Sequence, residues 1–441
     1  MNAGESGEAL IADLAQDGRG IARMAGKALF IEGALPGERV RFRVRRARRQ
    51  LDEADLIEVL EPSAARVSPR CAHFGICGGC TLQHLAPAAQ LEAKQHQLLE
   101  ALERIGRVKP RRVLPPLAGP PYAYRRRARL AVKFVHKKGR VLAGFREQDK
   151  PYVADIRRCE VLIERFATLP EALARLVESL SLREHLPQVE LAAGDDGAAL
   201  VFRVLQAPTV ADRELLARFG EEQRVAIYLQ PGGPASVVPL GEPPPPLRYA
   251  VDGGEVSLEF GPLDFVQVNR EVNRAMVERA LEILAPAPTD RVLDLFCGLG
   301  NFTLPLARRA GHVVGVEGEA GLVERARANA ARLGLTRAEF VVADLAGAGD
   351  PGAWAQQRYD LVLLDPPRAG ALSMMERMTQ WAPRRVVYIS CHPGSLARDA
   401  GRLVSAAGLE LTGAGVMDMF PQTAHVESIA VFERPSRAGG G

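Results

Sequence analysis

The stretch "RVLDLFCGLGNF", residues 291–302, decides the fold of this chain. An apolar strand that carries Asp294 runs into a turn with Gly298 and Gly300, an order that is typical of a strand meeting a helix at a ligand-binding turn. The dinucleotide fingerprint G-x-G-x-x-G needs a third glycine, where this chain has Thr303. The match to a nicotinamide cofactor is therefore incomplete, and the glycine pair alone identifies no ligand.

Strands and helices alternate around this stretch, from about residue 269 onward. The later strands are the apolar segments "HVVGVE", "EFVVADL", "YDLVLLD" and "RVVYIS", with helical segments such as "AGLVERARANAARLG" between them. Strands that are apolar along nearly their whole length predict a parallel sheet covered by helices on both faces. Ligands bind at the carboxyl ends of the strands in such sheets, so the residues at those ends are the first candidates for a site.

Acidic residues stand at these strand ends. Glu317 closes the second strand about 20 residues after the glycines, where a carboxylate can accept both ribose hydroxyls. Asp344 closes the third strand and could accept a hydrogen bond from an adenine amino group, and Asp365 closes the fourth. Each could alone be a solvated strand end. Together with Asp294 they form a pattern that resembles class I S-adenosylmethionine-dependent methyltransferases.

A cysteine lies where the next strand meets a helix. In "VVYISCHPGSLARD", residues 386–399, Cys391 ends an apolar strand and Pro393 can open a helix, whose amide dipoles would favour a thiolate. Methylation of a pyrimidine at C5 requires such a thiolate, because its addition to C6 makes C5 nucleophilic. A base must then remove the C5 proton, and Glu427 is the candidate, with His425 less favoured. The alternative is a cysteine that only packs.

The N-terminal part predicts a different domain. Residues 9–61 contain five short alternating strands, which suggests a small OB-like barrel with a basic fourth strand, "RFRVRRARR" at 41–49. A second cluster, "RRRAR", lies at 125–129. Either cluster could follow a phosphate backbone or form a solvated face, and the barrel could equally be a structural SH3-like one.

The chain is long enough for two or three domains. We expect a barrel at 1–62, a mixed α+β middle domain at 63–260 and an α/β domain at 261–441, with the helical segment 88–122 packing on the last. The composition is 47% apolar and 25% charged, without a run long enough to span a membrane. No secretion signal is evident, which predicts a cytoplasmic protein without a membrane partner. No obligate protein partner is evident.

Four cysteines have the spacing of a metal site. Cys71, Cys77 and Cys80 form C-x5-C-x2-C, and Cys159 follows much later. Such a set suits zinc or an iron–sulfur cluster, and the spacing alone does not decide between them. Radical S-adenosylmethionine enzymes use C-x3-C-x2-C instead, which disfavours that chemistry. We interpret Cys297 as a small buried residue at the glycine turn.

Five motifs together resemble the RNA uracil-5-methyltransferase family. They are "DFVQVN" (264–269), "DLFCGLGNFTLPLA", "LLDPPRAG", "YISCHPGSLARD" and "MFPQTAHVES". The resemblance implies that Cys391 is the nucleophile, that Glu427 is the general base and that Phe265 lies near a flipped base. It implies that further residues surround S-adenosylmethionine, namely Gln267, Phe296, Asn301, Glu317, Asp344 and Asp365. The family usually has Asn after the nucleophile, where this chain has His392.

The barrel and the cysteines point to one branch of this family. The barrel resembles a TRAM domain, an RNA-binding module, and the branch that methylates 23S ribosomal RNA has both this barrel and the C-x5-C-x2-C arrangement. The resemblance implies 23S ribosomal RNA as partner and a [4Fe-4S] cluster on Cys71, Cys77, Cys80 and Cys159, with zinc less favoured. Alternatives are the tRNA branch, an RNA-binding assembly factor without catalysis, and an adenine N6-methyltransferase. The last has an aromatic residue where this chain has Arg368.

Overall fold

The fold contains three large β-sheets and one small hairpin sheet along the chain. It is known from a computed structural model, which describes residues 2–24, 26–347 and 352–435. Within these ranges no helix combines the length and the apolar character that crossing a bilayer would require.

The first sheet lies within residues 6–61. Its strands are β1 Ser6–Leu10, β2 Asp13–Leu14, β3 Gly20–Met24, β4 Lys27–Glu32, β5 Arg39–Ala47 and β6 Leu51–Glu61, in the order β1-β5-β6-β4-β3-β2. Along β5, Val40, Phe42 and Val44 are buried and the arginines between them face outward. The prediction of five strands is wrong. A separate two-residue strand, β2, pairs with β3, which makes the basic strand the fifth.

The middle of the chain forms a second sheet with two helices against it. Its strands are β8 Arg127–Val135, β9 Arg140–Gly144, β10 Gln188–Ala193, β11 Ala198–Arg203, β12 Ala226–Gln230 and β13 Val238–Pro239. Its helices are α2 Leu169–Ser179 and α3 Val210–Gln223. Strands β8 and β9 form a hairpin, since they pair antiparallel around the turn at 136–139. A second hairpin, β14 Leu247–Val251 with β15 Val256–Phe260, leads to the last domain.

The third sheet carries the strand ends of interest. Its strands are β7 Arg112–Val113, β16 Arg291–Leu295, β17 His312–Glu317, β18 Ala338–Val342, β19 Leu361–Leu364, β20 Arg385–Ser390, β21 Glu410–Met417 and β22 Glu427–Glu433. They follow the order β18-β17-β16-β19-β20-β22-β21-β7. The predicted parallel sheet is confirmed for the first five of these, while β22 runs antiparallel between β20 and β21.

Helices cover both faces of this sheet. They are α4 Arg270–Leu284, α5 Thr303–Ala307, α6 Ala320–Arg332, α7 Leu372–Met375, α8 Met378–Trp381 and α9 Pro393–Ser405. The two faces bury separate apolar clusters, one around Met276 and Val313 and the other around Trp381 and Tyr388. Helix α5 begins only at Thr303, because the glycine turn extends through Phe302. Short 3-10 segments lie at His136–Lys138, Glu164–Phe166, Pro234–Ser236, Asp252–Gly254 and Ala353–Gln356.

One early helix packs on this C-terminal sheet. Helix α1, Pro87–Ala101, continues as a π-helical turn over Leu102–Gly106 and contacts α9 and β21. The buried face of α1 carries polar side chains as well as Leu98. Lys94 is 2% exposed, and its Nζ lies 2.6 Å from Asp418 Oδ1 and donates to the carbonyl of Phe420 at 3.1 Å. The helix is thus bound by a buried ion pair to the segment between β21 and β22.

The arginines of β5 are partly engaged within the chain. Arg41 pairs with Glu8 and Glu58, and Arg48 pairs with Glu53. Arg45 lies within 4 Å of several carboxylates, namely those of Glu32, Glu53, Asp55 and Asp149. In the described ranges Arg43, Arg46 and Arg49 form no ion pair, so only these three of the six remain available for phosphates in the way the sequence suggested.

We expect Lys94→Met to lower the free energy of unfolding by about 3–5 kcal/mol, because the Asp418 carboxylate would remain buried without its cation. Urea denaturation measures the loss. The matched control is Arg104→Met, which removes the exposed ion pair with Glu100 and should cost less than about 1 kcal/mol. Equal, small losses in the two variants would contradict a stabilising role of the buried pair.

Candidate active site and cysteine site

The pairing of β20 with β22 brings the candidate nucleophile and base together. In this antiparallel ladder Ser390 faces Ser428, and the Ser428 hydroxyl donates to the Ser390 carbonyl at 3.1 Å. Cys391 directly follows β20 and Glu427 opens β22, so one further step of this register would set the two residues opposite each other. Side chains directly opposite in such a ladder have Cβ atoms about 5 Å apart. The two residues are therefore cross-strand neighbours.

Burial and neighbouring carboxylates decide the protonation of this pair. Burial, together with the charges of Glu427 and Asp365, raises the pKa of Cys391 to about 11. Burial also raises the pKa of Glu427 well above its usual value, with a second contribution from Asp365. Burial raises the pKa of Asp365 itself to about 7. Burial and the two carboxylates thus oppose the thiolate that the helix start was expected to favour.

His392 takes over the local role of an N-cap. Helix α9 begins at Pro393, and the Nδ1 atom of His392 accepts a hydrogen bond from the backbone N–H of Ser395 at 3.1 Å. An Asn side chain would offer the same kind of acceptor. Burial lowers the pKa of His392, with the charges of Arg368 and Arg398 adding to this, so Nδ1 stays unprotonated at neutral pH. The departure from the family's Asn therefore keeps the helix start beside Cys391.

The glycine turn after β16 places backbone N–H groups next to the Glu317 carboxylate. Both lie at the carboxyl ends of the strands, the edge of the sheet where a cofactor would bind. Phe296 and Gly298 have positive φ angles of 63° and 53°. The Glu317 carboxylate accepts from the backbone N–H groups of Gly298 at 3.2 Å and of Glu319 at 3.0 Å. Each carboxylate oxygen thereby keeps a free lone pair, which is the acceptor capacity that two ribose hydroxyls need. These groups fit a nucleoside cofactor.

Asp294 is fully buried behind this turn. The Thr303 hydroxyl donates to Asp294 Oδ2 at 2.5 Å, while Oδ1 has no hydrogen-bond partner among the described residues. Burial raises the pKa of Asp294 to about 7. A buried carboxylate oxygen without a partner is costly unless a ligand supplies one. The oxygen is thus a second feature of this edge that suits a bound cofactor.

The other predicted cofactor residues differ in their availability. Asp344 lies two residues beyond β18, is exposed, and accepts from two backbone N–H groups of its own turn. The Asn301 amide is already engaged: its oxygen accepts from Tyr249 and Asn273, and its nitrogen donates to Asn273. Gln267 is half-buried and Phe265 is 67% exposed, both between β15 and α4.

Arginines of the middle domain hold this last segment. Arg127 Nη2 donates to the Leu263 carbonyl at 2.6 Å, and the backbone N–H of Arg126 donates to the Val268 carbonyl at 3.0 Å. Asp195 joins Arg126, at 2.7 Å, to Arg274 of α4, at 3.2 Å. The sequence left the cluster at 125–129 open between a phosphate contact and a solvated face, and in the structure two of its arginines hold the segment 263–268. Sequence reasoning missed this role.

Cys297 packs beneath the glycine turn, as the sequence suggested. It is 4% exposed, and a Cβ atom on Gly315 of the adjoining strand would come within 3.0 Å of its sulfur. Burial raises the pKa of this thiol well above its usual value. The residue therefore acts as a small, protonated packing group.

The four remaining cysteines line one small cavity. Cys80 and Cys159 are buried, while Cys71 and Cys77 are half-buried. The backbone N–H groups of His73 and Gly79 point to the sulfur atoms of Cys71 and Cys77, both at 3.4 Å. Burial raises the pKa values of Cys77 to about 11 and of Cys80 to about 12, and the neighbouring cysteines contribute. Converging thiols with N–H donors fit a group that binds thiolates.

The distances between these sulfur atoms can be compared with those in a site for a single zinc ion. A single zinc ion with Zn–S bonds of about 2.3 Å would hold four sulfurs on the order of 4 Å apart. Within the described ranges, no three of the cysteine sulfurs lie within 4.8 Å of one another. Among the described residues, the ligand atoms of Asp13, His96 and Glu100 do lie within this distance of one another.

Three protein families match segments of the chain. The TRAM domain matches residues 2–57, a methyltransferase domain matches 287–391, and the tRNA (uracil-5-)-methyltransferase family matches 354–435. The predicted TRAM domain and the predicted class I methyltransferase fold are thereby confirmed. Among solved structures, the tRNA (uracil-54, C5)-methyltransferase of Pyrococcus abyssi, in complex with S-adenosyl-L-homocysteine, aligns over 97% of this chain and 100% of its own. The TM-score is 0.73 at 24% identity, a likeness of fold.

Curated relatives match almost the whole chain. The 23S rRNA (uracil(1939)-C(5))-methyltransferase RlmD of Alkalilimnicola ehrlichii is 53% identical over 431 residues, which are 98% of this chain and 97% of the relative. The RlmD proteins of Stenotrophomonas maltophilia and Methylococcus capsulatus are each 51% identical, over 96% of both chains. The chain therefore belongs to the RlmD family of 23S rRNA uracil-C5-methyltransferases.

Proposed function

We propose that this protein transfers the methyl group of S-adenosylmethionine to C5 of a uridine in 23S ribosomal RNA, the reaction for which its relatives are named. The uridine at position 1939 in those names is the expected target. The observation that carries the proposal is the pairing of β20 with β22, which ends at Ser390 and Ser428 and so brings the adjoining Cys391 and Glu427 close together, at the strand ends where a cofactor would bind. This substrate implies a cytoplasmic enzyme.

Cys391 begins the proposed reaction. S-adenosylmethionine, when bound, supplies an electrophilic methyl group. The Cys391 sulfur adds to C6 of the uracil, and the electrons of the C5–C6 double bond move to the C4 carbonyl oxygen. C5 then becomes the nucleophile that takes the methyl group, while the S–CH3 bond breaks and S-adenosylhomocysteine is the leaving group. The thiol must lose its proton for this step. Since its pKa is raised by burial and by two carboxylates, the bound reactants have to favour the thiolate.

Glu427 completes the reaction. Its ionised carboxylate takes the proton from C5, the C5–C6 double bond returns, and Cys391 leaves as a thiolate. Burial favours the protonated product of this step, because the pKa of Glu427 is raised. Among the described residues no group hydrogen-bonds this carboxylate, so its oxygens are available to the substrate. His425 is exposed and lies outside the strand ladder, which makes it the weaker candidate.

The cofactor would lie along the glycine turn. We assign Glu317 to the ribose hydroxyls, Asp344 to the adenine amino group, and Asp365 to the edge next to Cys391. Phe296 and Gln267 would contact the same ligand. Asn301 belongs to this set more weakly, because its amide is engaged by Tyr249 and Asn273 and holds the turn against α4.

The RNA would approach from the face that exposes Phe265. An aromatic ring that is 67% exposed beside the site can stack on a base that has left its helix, which costs a few kcal/mol of unstacking. Arg43, Arg46 and Arg49 of the TRAM domain are free of ion pairs among the described residues and are the arginines of β5 that can meet phosphates. The RNA contact is thus divided between two domains.

We further propose that Cys71, Cys77, Cys80 and Cys159 hold a [4Fe-4S] cluster. Two observations support a metal group at these residues: the four thiols converge on one cavity, and backbone N–H groups point to two of the sulfur atoms. Cys80 is followed directly by residues that contact the segment before Glu427. A structural role of the cluster therefore suffices, and the methyl transfer needs no electron from it.

Two substitutions test the proposed roles. Cys391→Ala should lower methyl transfer to a 23S RNA fragment by at least about 10⁴-fold, because C5 is not activated without the addition to C6. Glu427→Gln should also stop turnover but accumulate a covalent RNA–protein complex on a denaturing gel, since addition precedes proton removal. The control is Cys297→Ser. Methyl transfer by Cys391→Ala at the wild-type rate, or preference for tRNA over the 23S fragment, would contradict the proposal.

Iron and acid-labile sulfide analysis tests the cluster. Protein purified without oxygen should be brown and contain about four irons per chain, and Cys80→Ser should lose most of them. Cys297→Ser should keep them, because Cys297 lies in another core. One equivalent of zinc and no sulfide would contradict the proposal.

A further inference from the structure

We propose that Thr81 is a positioning residue for Glu427: it fixes the loop that leads into β22, so that the base faces the substrate carbon bound to Cys391. The inference rests on the proposed function and names a residue of the cysteine segment. The loop in question comprises residues 418–426, between β21 and β22, and is called here the base loop.

Three hydrogen bonds join the cysteine segment to the base loop. The backbone N–H groups of Thr81 and Leu82 both donate to the Gln422 carbonyl at 3.0 Å. The backbone N–H of Ala424 donates to Thr81 Oγ1 at 3.0 Å. Thr81 directly follows Cys80, so its backbone is fixed by the cysteine site itself. The Thr81 side chain is the one that accepts from the base loop.

The base loop has a conformation that needs such support. Gln422 is 1% exposed and has a φ of 68°, in the left-handed region that side chains other than glycine rarely adopt. Helix α1 holds it from the other side: Gln90 Nε2 donates to Gln422 Oε1, and the Gln422 backbone N–H donates to Gln90 Oε1, both at 3.0 Å. The Tyr124 hydroxyl donates to the Pro421 carbonyl at 2.9 Å. The loop is thus held by contacts from distant parts of the chain.

The TRAM domain also packs against Thr81 and the base loop. A Cβ atom on Gly18, in a turn before β3, would lie 3.3 Å from Thr81 Oγ1 and 3.4 Å from the Ala424 side chain. Leu14 and Leu35 of the same domain pack with Leu82 and Ala424 in one buried apolar cluster, which also includes Leu85. Thr81 therefore sits where the TRAM domain, the cysteine segment and the base loop meet.

The hydrogen bonds from Thr81 and Gln90 to the base loop affect the position of Glu427 and do not involve Cys391. Ala424 precedes Glu427 by three residues, so a shift of the Ala424 backbone moves the start of β22. Cys391 is held by β20 and by the first turn of α9, and in the described part of the chain neither Thr81 nor Gln90 hydrogen-bonds these elements. Removal of the Thr81 hydroxyl should therefore slow proton removal from C5 without slowing the addition to C6.

Thr81→Val tests this inference in the full-length, cluster-loaded protein. We expect kcat to fall about tenfold, the effect of one lost hydrogen bond, while the fraction of enzyme trapped as a covalent RNA complex during turnover rises. Thr81→Ser should restore both values, because it returns the hydroxyl. The matched control is Thr412→Val in β21. It also removes a half-buried threonine hydroxyl, one that donates to the Val431 carbonyl. Iron content should be unchanged in all three variants.

Two outcomes would overturn the proposal. One is a Thr81→Val protein with wild-type kcat and a wild-type covalent fraction. The other is a protein that loses activity together with the covalent complex and the iron, which would mean general damage to the site. Failure of the proposed function is distinct: the wild-type protein itself would then show neither methyl transfer nor a covalent complex.

Discussion

The antiparallel pairing of β22 with β20 is the constraint on which the site depends. A parallel sheet brings its strand ends to one edge, but it cannot by itself set a residue at the end of one strand against a residue at the start of another. The reversed strand does this, because its first residue, Glu427, meets the end of β20 at Cys391. Because β22 runs antiparallel, the base loop has to lead the chain into it, and this loop has to be held in place. Helix α1, the cysteine segment and the TRAM domain all contact that loop.

The effect of the helix start on Cys391 is opposed by burial and by nearby carboxylates. A helix N-terminus stabilises a negative charge by about 0.3–1 kcal/mol in ordinary positions. Burial and the charges of Glu427 and Asp365 act in the opposite direction and raise the pKa of Cys391 to about 11. Burial and the nearby carboxylates therefore favour the thiol over the thiolate, and the thiol has to lose its proton before it can add to C6. The same burial suits Glu427, which has to accept a proton.

Much of the fold could be predicted from the sequence, because its signals are local. The apolar strands, the glycine turn and a strand directly before Cys391 are as predicted, although that strand ends at Ser390, one residue earlier than expected. The insertion of β22 between β20 and β21 is a pairing between distant segments and leaves no local signal. The buried face of α1 had a signal that was missed: Gln90, Lys94 and Leu98 recur every four residues, on one side of the helix. The acids of β6, which pair with the arginines of β5, were likewise present in the sequence.

The most direct test of covalent catalysis uses 5-fluorouridine in place of uridine in a 23S RNA fragment that contains the target site. Fluorine at C5 cannot leave as a proton, so Glu427 cannot complete the reaction and the intermediate should persist. Incubation with S-adenosylmethionine, denaturation and peptide mapping by mass spectrometry should show the RNA attached to the peptide that contains Cys391. If no adduct forms while unsubstituted RNA is still methylated, the reaction does not proceed through Cys391.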